Sequence, residues 1–294
     1  MAEGALPYPL TGQRNPLRSA VLALSWGWLL ALVLVPNLLV LAASLLTRDP
    51  LHFLQLPLTL DSYRRLLDPL YLRVFLDSLA LALATTLGCL LLGYPFAWAL
   101  SRIRARWRPL LLFLLILPFW TNSLVRTYAI KQLLAANGPL NGALLALGLI
   151  DAPLELLYTQ GAVILGLVYL LLPFMILPLY AVFEDLRPEL LLASRDLGAG
   201  RLATFVHVLI PLTLPGILAG TLLVLLPALG MFYVADILGG ARVLLVGNVI
   251  KNQFLDARDW PFGAAASILL TAAMALLLVA HRLARRRLRH GTVP

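Results

Sequence analysis

Residues 184–215 read EDLRPELLLASRDLGAGRLATFVHVLIPLTLP, a charged segment with helical periodicity that lies between two apolar segments. Each flanking segment is long enough to cross a membrane. A connection that only reverses the direction of the chain needs a few residues. This longer and strongly charged segment therefore predicts a structure at the membrane surface that is held by something outside the membrane.

The flanking segments belong to a set of apolar runs that extends over the whole chain. A bilayer core about 30 Å thick needs about 20 apolar residues per helix, and six runs meet or approach this length. They cover residues 20–46, 75–100, 110–128, 161–183, 206–237 and 262–283. Of the 294 residues, 61% are hydrophobic, and a soluble domain would have to bury helices that are apolar on every side. The sequence therefore predicts an all-α polytopic membrane protein with six transmembrane helices.

The basic residues predict how these helices are oriented. With an even number of spans, both termini lie on the same side of the membrane. That side also has the 101–109 and 184–207 loops, and it carries 14 of the 23 basic residues and 5 of the 14 acidic residues. Cytoplasmic loops carry an excess of arginine and lysine. We therefore expect an N-in/C-in topology with the 184–207 loop in the cytoplasm.

The chain reads as one integrated membrane domain with short polar ends. We expect residues 1–17 to form a cytoplasmic N-terminal lead, residues 18–284 to form the transmembrane domain, and residues 285–294 to form a basic cytoplasmic tail. The isoelectric point of about 10.2 reflects arginines next to apolar helices, where they bind anionic lipid headgroups. We therefore expect contact with membrane lipid and no binding of nucleic acid. The sole cysteine, Cys89, excludes an intrachain disulfide.

Motifs for ATP hydrolysis and metal binding are missing from the sequence. A P-loop needs a lysine that follows a glycine and precedes Ser or Thr, and neither Lys131 nor Lys251 has these neighbours. The four histidines are too scattered to predict a metal cluster. We therefore expect a non-catalytic chain without a cofactor or metal of its own, and any ATP hydrolysis that acts on it would take place on another polypeptide.

Within residues 184–215, the apolar residues indicate two short helices joined at a glycine. Four of them follow an i, i+4, i+7, i+11 pattern that places them on one helix face: Leu186, Leu190, Ala193 and Leu197. Gly198 ends this pattern. A second short helix would carry Leu202, Phe205 and Val206 before the next span.

Helices arranged in this way would lie parallel to the membrane and present three charged side chains to the cytosol, those of Arg195, Asp196 and Arg201. From the residues alone, two interpretations remain open. The segment is either a handle for a partner protein or an interfacial amphipathic hairpin that lies on lipid.

The segment also contains a short motif. Residues 193–199, Ala-Ser-Arg-Asp-Leu-Gly-Ala, are followed by Ile-Pro, with the proline thirteen residues after the glycine. This arrangement resembles the EAA signature of ABC importer permeases, from which it departs at Leu192 (usually glutamate) and at Ser194 (usually alanine). In that family the loop docks on an ATP-hydrolysing subunit. The resemblance implies that eight residues make this contact: Ala193, Ser194, Arg195, Asp196, Leu197, Gly198, Ala199 and Arg201.

Further runs along the chain resemble one branch of these permeases. They include LDSY at 60–63, GYPFAW at 93–98, PFWTNSLVR at 118–126, GNVIK at 247–251 and RDWPFG at 258–263. Together they are similar to the B-type permease subunits of bacterial spermidine/putrescine ABC importers, from about residue 55 to about residue 275. The resemblance implies the type I ABC importer permease fold, a place in the bacterial inner membrane and the import of polyamines.

The resemblance also implies an assembly of several chains. The implied partners are two ATP-binding subunits that hold ATP and Mg, a second homologous permease subunit, and a periplasmic or lipid-anchored substrate-binding protein. Two alternatives stay open. One is a permease of the same kind for another small cationic or zwitterionic solute, such as an opine or an aminophosphonate. The other is a channel or secondary carrier that works without an ATPase, although the two related halves typical of such carriers are missing.

Charged residues near the ends of the apolar runs are candidates for the path of the solute. Asp77, Arg126 and Asp236 lie at the outer ends of three runs, where they either reach the headgroup layer or face a cavity. In a cavity, Asp236 and Tyr233 would suit a polyamine, because carboxylates and aromatic faces hold ammonium groups. The predicted substrate path consists of Trp120, Asn122, Tyr233, Asp236 and Asp259.

Two of these residues have a second interpretation. Trp120 lies at a depth where aromatic residues form interfacial belts. Asp259 opens the sixth apolar run, where an acidic residue either caps the helix or contacts a solute-delivering protein.

The predicted orientation is testable with single cysteines. In a Cys89→Ala background, Glu155→Cys in the 129–160 loop is expected to react with a membrane-impermeant maleimide added to spheroplasts. Glu189→Cys in the 184–207 loop is expected to react only after the membrane is permeabilised, because the positive-inside rule places that loop in the cytoplasm. Labelling of Glu189→Cys in intact spheroplasts would contradict the N-in/C-in topology.

Overall fold

The computed structural model describes residues 16–49 and 54–290, and this part of the chain is helical apart from connections and an isolated antiparallel bridge between Thr47 and Gln55. Most of the predicted lead (1–17) and the end of the predicted tail (291–294) lie outside the described residues. The helices are α1 (Pro16–Ser44), α2 (Asp61–Leu66), α3 (Pro69–Arg102), α4 (Arg108–Ile116), α5 (Ser123–Leu134), α6 (Pro139–Ala146), α7 (Gln160–Glu184), α8 (Pro188–Asp196), α9 (Arg201–Thr204), α10 (Ile210–Gly230), α11 (Phe232–Val234), α12 (Val246–Leu255) and α13 (Trp260–His290).

Five helices in the described ranges are long and apolar enough to cross a membrane. They are α1, α3, α7, the continuous unit of α9 and α10, and α13. Each overlaps one of the predicted apolar runs. Helices dominate because lipid offers no hydrogen-bond partners to the backbone, so that a spanning segment must satisfy its own N–H and C=O groups.

The remaining predicted span, over 110–128, is a bent pair of helices and not one straight helix. Segments Arg108–Trp120 and Ser123–Ala146 meet at 92°. Pro118 lies in a 3-10 turn at the end of the first segment. The Asn122 side chain then caps the second segment and fixes its new direction. The described chain therefore has five candidate spans, or six if the bent pair crosses as one.

The second short helix predicted within 184–215 is continuous with the next span. Helix α9 passes through a π-turn, Phe205–Leu209, into α10, so that one helix of 30 residues runs over Arg201–Gly230. Pro211 lacks an N–H, and in a regular helix its ring would clash with the carbonyl one turn earlier. The residue that bears that carbonyl, His207, lies within the π-turn, where the helix is wider than a regular α-helix.

The predicted fifth span, 206–237, ends earlier than expected. Helix α10 stops at Gly230, and the backbone of Met231 leaves the helical region (φ −81°, ψ 63°). The chain then forms α11 and a π-turn, Ala235–Gly239. Asp236 therefore lies on a bend beyond the long helix.

The core is formed by α3, α7 and α10, which pack against one another. Cys89 in α3 and Met175 in α7 are fully buried in it. Helix α10 approaches α7 closely at two glycines, since a Cβ on Gly216 would lie 3.0 Å from the Pro178 carbonyl oxygen and one on Gly220 would overlap Met175. Helix α1 packs against α13 at the periphery, and most of its described side chains are exposed.

The bundle has two chemically different ends. The hairpin end carries the 101–109 connection and the surface hairpin, which we define as residues 188–204. There Arg108 donates hydrogen bonds to the backbone carbonyls of Ser101 at 2.6 Å and Ile103 at 2.9 Å, and lies 3.7 Å from Glu184. Arg108 thus joins the end of α3 to the end of α7. The opposite end is called the far end.

At the far end, Asp259 is buried and not open to a solute. Its carboxylate accepts a hydrogen bond from the Phe262 N–H at 3.2 Å, which caps α13. Arg65 bonds to it at 2.8 Å, and Arg48 lies 3.9 Å away. Since Asp259 is only 1% exposed, the structure favours the helix-cap interpretation over its predicted place on the substrate path.

The contacts of Asp259 predict that substituting this carboxylate destabilises the protein more than substituting an exposed carboxylate does. Losing a helix cap costs about 0.5–2 kcal/mol and losing a hydrogen bond to a charged group about 1.5–3 kcal/mol, so Asp259→Ala is expected to lower the melting temperature of the detergent-purified protein clearly. Asp77→Ala is the control, because it removes an exposed carboxylate that lies 4.0 Å from Arg73 and is expected to cost less than about 1 kcal/mol. Thermal unfolding followed by circular dichroism measures both. Equal shifts would contradict the structural role of Asp259.

Candidate functional site

The surface hairpin consists of α8, a glycine turn and α9. Two hydrogen bonds close the turn, from the Gly198 N–H to the Arg195 carbonyl at 2.9 Å and from the Ala199 N–H to the Ser194 carbonyl at 3.0 Å. This pattern is a Schellman motif. It requires the left-handed conformation at Gly198, where φ is +85°. The predicted helix–glycine–helix arrangement is therefore confirmed.

A buried hydroxyl pair joins the two helices of the surface hairpin. Ser194 Oγ lies 3.1 Å from Thr204 Oγ1 and donates a hydrogen bond to the Leu191 carbonyl at 2.9 Å. Ser194 and Thr204 are each 8% exposed. In the sequence, Ser194 stands out only as a departure from the EAA signature, and Thr204 does not stand out at all. The structure gives Ser194 a packing role that the usual alanine could not fill.

The outer surface of the hairpin exposes large apolar side chains. Leu197 is 88% exposed, Leu202 76% and Leu190 44%. The face turned toward the bundle carries Leu191 and Ser194 instead. Three of the four residues of the predicted apolar stripe are therefore available to another molecule, as is typical of a docking surface. The fourth, Leu186, packs against the core.

The charged residues predicted on the hairpin lie in two different places. Asp196 is exposed. Arg195 and Arg201 line a cavity of about 250 Å³ between the hairpin and α3, where Tyr94 and Trp98 form part of the wall. The two arginines therefore edge an aromatic cavity at the hairpin end.

An aromatic cluster lies beneath the hairpin and joins it to the core. The Tyr94 ring contacts the rings of Phe183 and Phe205 with centroids 5.1 and 5.7 Å apart, and Trp98 contacts Phe183 at 5.3 Å. The Tyr94 hydroxyl lies 3.0 Å from Thr213 Oγ1. Helices α3, α7 and α10 thus meet directly under the hairpin. This cluster was not predicted from the sequence, although the i, i+4 spacing of Tyr94 and Trp98 was an available signal.

The second candidate site surrounds Asp236 at the far end. Asp236 Oδ2 accepts a hydrogen bond from Lys251 Nζ at 2.8 Å, and Oδ1 accepts one from the Asn248 amide. Asn248 also donates to the Phe232 carbonyl at 3.1 Å. The Tyr233 ring packs edge-on against Phe232 with centroids 6.3 Å apart. The structure therefore brings Asp236 and Tyr233 together on one bend and adds Asn248 and Lys251, which had no predicted role.

Trp120 and Asn122 lie at the break of the bent pair. Trp120 is 74% exposed and packs against Phe113 with ring centroids 5.7 Å apart. Asn122 accepts a hydrogen bond from the Leu124 N–H and so begins α5. Helix α5 packs against α11 and against the π-turn that carries Asp236. The helix that follows Trp120 and Asn122 in the chain is therefore in contact with the Asp236 bend.

The two charges that were weighed as candidates but left out of the predicted path both border cavities. Asp77 borders a far-end cavity of about 280 Å³ together with Arg73 and Arg242. Arg126 borders an apolar cavity of about 320 Å³ and lies 4.9 Å from the centroid of the Phe119 ring. Its Nε is buried and has no hydrogen-bond partner among the described residues.

Comparison with known proteins identifies the family. The family of binding-protein-dependent transport system inner membrane components matches residues 88–290, which include the surface hairpin and Asp236. The chain belongs to this family. Its membership confirms the resemblance to importer permeases and the prediction of a transport subunit rather than an enzyme.

Close relatives of this transport component are known from several bacteria. It is 58% identical over 262 residues to the spermidine/putrescine transport system permease protein PotB of Escherichia coli (strain K12), with 89% of the chain and 95% of the relative covered. Identity to PotB of Haemophilus influenzae is 55% over 274 residues, covering 93% and 96%. Identity to the inner membrane ABC transporter permease protein YdcU of E. coli (strain K12) is 34%, covering 75% and 74%.

A solved structure shares the fold of this transport component. A chain of the bacterial alginate ABC transporter, crystallised in complex with an alginate pentasaccharide-bound periplasmic protein, superposes with a TM-score of 0.75 at 17% identity, and 94% and 96% of the two chains are covered. The all-helical class and the ABC transporter permease fold are therefore confirmed. The number of spans stands at five or six, and the N-in/C-in orientation stays a prediction.

The Schellman turn predicts different outcomes at two neighbouring glycines. A Cβ at Gly198 or at Gly200 would meet no atom within 4 Å, so space does not distinguish them. The left-handed φ of Gly198 costs an alanine about 1–2 kcal/mol, whereas Gly200 has an ordinary φ of −65°. We expect Gly198→Ala to raise tryptic cleavage of the hairpin roughly 5- to 30-fold and Gly200→Ala to leave it unchanged. Limited proteolysis measures the rates, and equal rates would count against the turn geometry.

Proposed function

We propose that this chain is the permease subunit of an ATP-driven importer that carries polyamines, spermidine or putrescine, across the bacterial inner membrane. The observation that carries the proposal is 58% identity over 89% of the chain to a permease named for spermidine and putrescine. Another small cationic or zwitterionic solute, such as an opine or an aminophosphonate, is the alternative cargo. The relative at 34% identity is named for no cargo, so the family alone does not select one.

The surface hairpin couples the permease to a separate ATPase. The proposal is supported by the exposed Leu197 and Leu202 next to exposed charges, among them Asp196. A cleft on an ATPase subunit would cover these side chains, while Arg195 and Arg201 lie at the edge of the contact. Ala193, Gly198 and Ala199 shape the turn. ATP and Mg are held by the partner, and this chain binds neither.

The assembly has the composition of an ABC importer. It contains two ATP-binding subunits, a second homologous permease subunit, and a periplasmic or lipid-anchored substrate-binding protein. The permease crosses the membrane six times with both termini in the cytoplasm, and the bent pair of helices supplies the sixth crossing. Closure of the ATPase subunits on ATP pulls the hairpins of the two permeases together and turns the cavity outward, and hydrolysis resets it, which is a coupling between two global states.

The path of the polyamine passes the Asp236 bend. A carboxylate next to aromatic rings holds ammonium groups, and Asp236 lies three residues from Tyr233 on the same bend. The bend follows a break in a membrane helix, and irregular backbone at such positions occurs where it is buried in protein or lines a cavity. Trp120 and Asn122 immediately precede α5, which packs against the Asp236 bend, and they belong to the same path. Asp259 is left out of the path because it is buried beneath Arg65.

Reconstitution tests this function. The permease, co-expressed with its genetic neighbours and placed in proteoliposomes, is expected to import labelled spermidine or putrescine only with ATP, and the permease alone is expected to import nothing. Asp236→Asn should reduce uptake and substrate-stimulated ATPase activity roughly 10- to 100-fold, because a hydrogen bond to a charged group is worth about 1.5–3 kcal/mol. Asp151→Asn is the matched carboxylate control, because Asp151 is an exposed residue of the 129–160 loop with no predicted role in the path.

Three outcomes would contradict parts of this function. Uptake by the isolated chain would favour a channel or secondary carrier. Normal uptake by Asp236→Asn would remove Asp236 from the path. Transport of an opine or aminophosphonate in preference to polyamines would reassign the cargo.

A further inference from the structure

We propose that Lys251 is a tethered competitor of the cargo, whose ammonium group occupies the Asp236 carboxylate until a polyamine ammonium displaces it. The inference rests on the proposed function, since it concerns how the same site binds and releases a polyamine. It assigns to Lys251 the role of keeping that binding weak.

The two oxygens of the Asp236 carboxylate have different hydrogen-bond partners. Oδ1 is held by the Asn248 amide, while Oδ2 is held by Lys251 Nζ at 2.8 Å. Asn248 is 1% exposed and has further bonds, since its Oδ1 accepts from the Leu245 N–H at 3.1 Å and its Nδ2 donates to the Phe232 carbonyl. Asn248 therefore joins the bend to α12 through bonds that do not involve Lys251, and Lys251 binds Oδ2.

The ion pair is open to exchange. The side chains of Lys251 and Asp236 are 29% and 37% exposed, in contrast to the buried Asp259 carboxylate, whose side chain is 2% exposed. Pairs that solvent reaches are weak, because water screens the charges and the long side chain loses conformational freedom. A cation that arrives at the bend can therefore replace Lys251 without first breaking a buried contact.

The chemistry of Lys251 matches the proposed cargo. A lysine side chain is a primary ammonium on a flexible four-carbon stem. Putrescine carries the same group at both ends, and spermidine carries it at one end. A carboxylate that accepts the ammonium of the Lys251 aminobutyl group has the charge to accept the aminobutyl end of either polyamine, and the aromatic pair formed by Phe232 and Tyr233 lies on the same bend.

A tethered cation also explains how the cargo leaves. A group linked to a site by a short chain acts at an effective concentration on the order of millimolar. A polyamine that a binding protein delivers at high local concentration can displace Lys251 from the carboxylate. When the polyamine dissociates, the Lys251 ammonium binds the carboxylate again at once. If the carboxylate is unpaired for one-tenth of the time, the apparent affinity falls tenfold. Transport requires such weak binding, because a tightly held solute would not move on.

The test measures spermidine binding to the assembled transporter in nanodiscs without the substrate-binding protein. Lys251→Met is expected to bind labelled spermidine about tenfold tighter and to lower the maximal uptake rate in proteoliposomes. Lys251→Arg keeps a tethered cation and is expected to bind as weakly as the wild type. The control is Lys131→Met, which removes the only other lysine of the chain and is expected to change nothing.

A double variant separates competition from a structural role. In the Asp236→Asn background, Lys251→Met is expected to have no further effect on binding, because the competitor has lost its carboxylate. Spermidine binding by Lys251→Met that is unchanged or weaker, in a complex that assembles normally by size-exclusion chromatography, overturns the inference. Failure of Lys251→Met to assemble overturns it as well, because the ammonium would then be a structural element.

The two levels of the proposal fail in different ways. A wild-type transporter that neither binds nor imports any polyamine overturns the proposed function together with this inference. Normal wild-type import combined with a Lys251→Met variant that behaves like the wild type overturns the inference alone.

Discussion

The close contact between α7 and α10 is the interaction on which both candidate sites depend. Gly216 and Gly220 present no side chain, so that the α10 backbone rests against the Pro178 carbonyl and against Met175. Between helices in lipid, association comes from such packing and not from a hydrophobic drive, because lipid tails are as apolar as leucine. The contact sets the position of α10, and α10 carries the surface hairpin at one end and the Asp236 bend at the other.

A continuous helix gives the two sites a mechanical connection. The unit over Arg201–Gly230 has 30 residues, which corresponds to about 45 Å at 1.5 Å per residue. The Schellman turn at Gly198 and the hydroxyl pair of Ser194 and Thr204 hold the hairpin to the start of this helix, and the aromatic cluster around Tyr94 supports it from below. The backbone departs from regular helix at the π-turn before Pro211 and at the break at Met231. In the proposed coupling, a displacement of the hairpin would be passed along α10 to the bend that holds Asp236, and these two places are where the helix would bend.

Two carboxylates at the far end illustrate how burial decides the role of a charge. Asp259 is enclosed, caps α13 and bonds to Arg65, so it stabilises the fold. Asp236 is partly exposed and pairs with Lys251, which is also partly exposed, and the proposed exchange of its partner rests on this accessibility. Both residues appear in the sequence as acidic residues near the end of an apolar run, and nothing in their neighbours distinguishes them. The difference arises from residues far away in the chain, since Arg65 lies 194 positions before Asp259.

The sequence by itself determined the helical class, most of the spans and the glycine turn of the hairpin, because these follow from local rules. Apolar runs of sufficient length must form helices in lipid, and the pattern around Gly198 ends a helix within a few residues. Only the tertiary structure decided the 92° bend after Pro118, the end of α10 at Gly230 and the partners of Asp236, Ser194 and Arg108. The physical reason is that a break or an ion pair depends on which side chains other helices bring to that place, and periodicity along the chain does not encode these contacts.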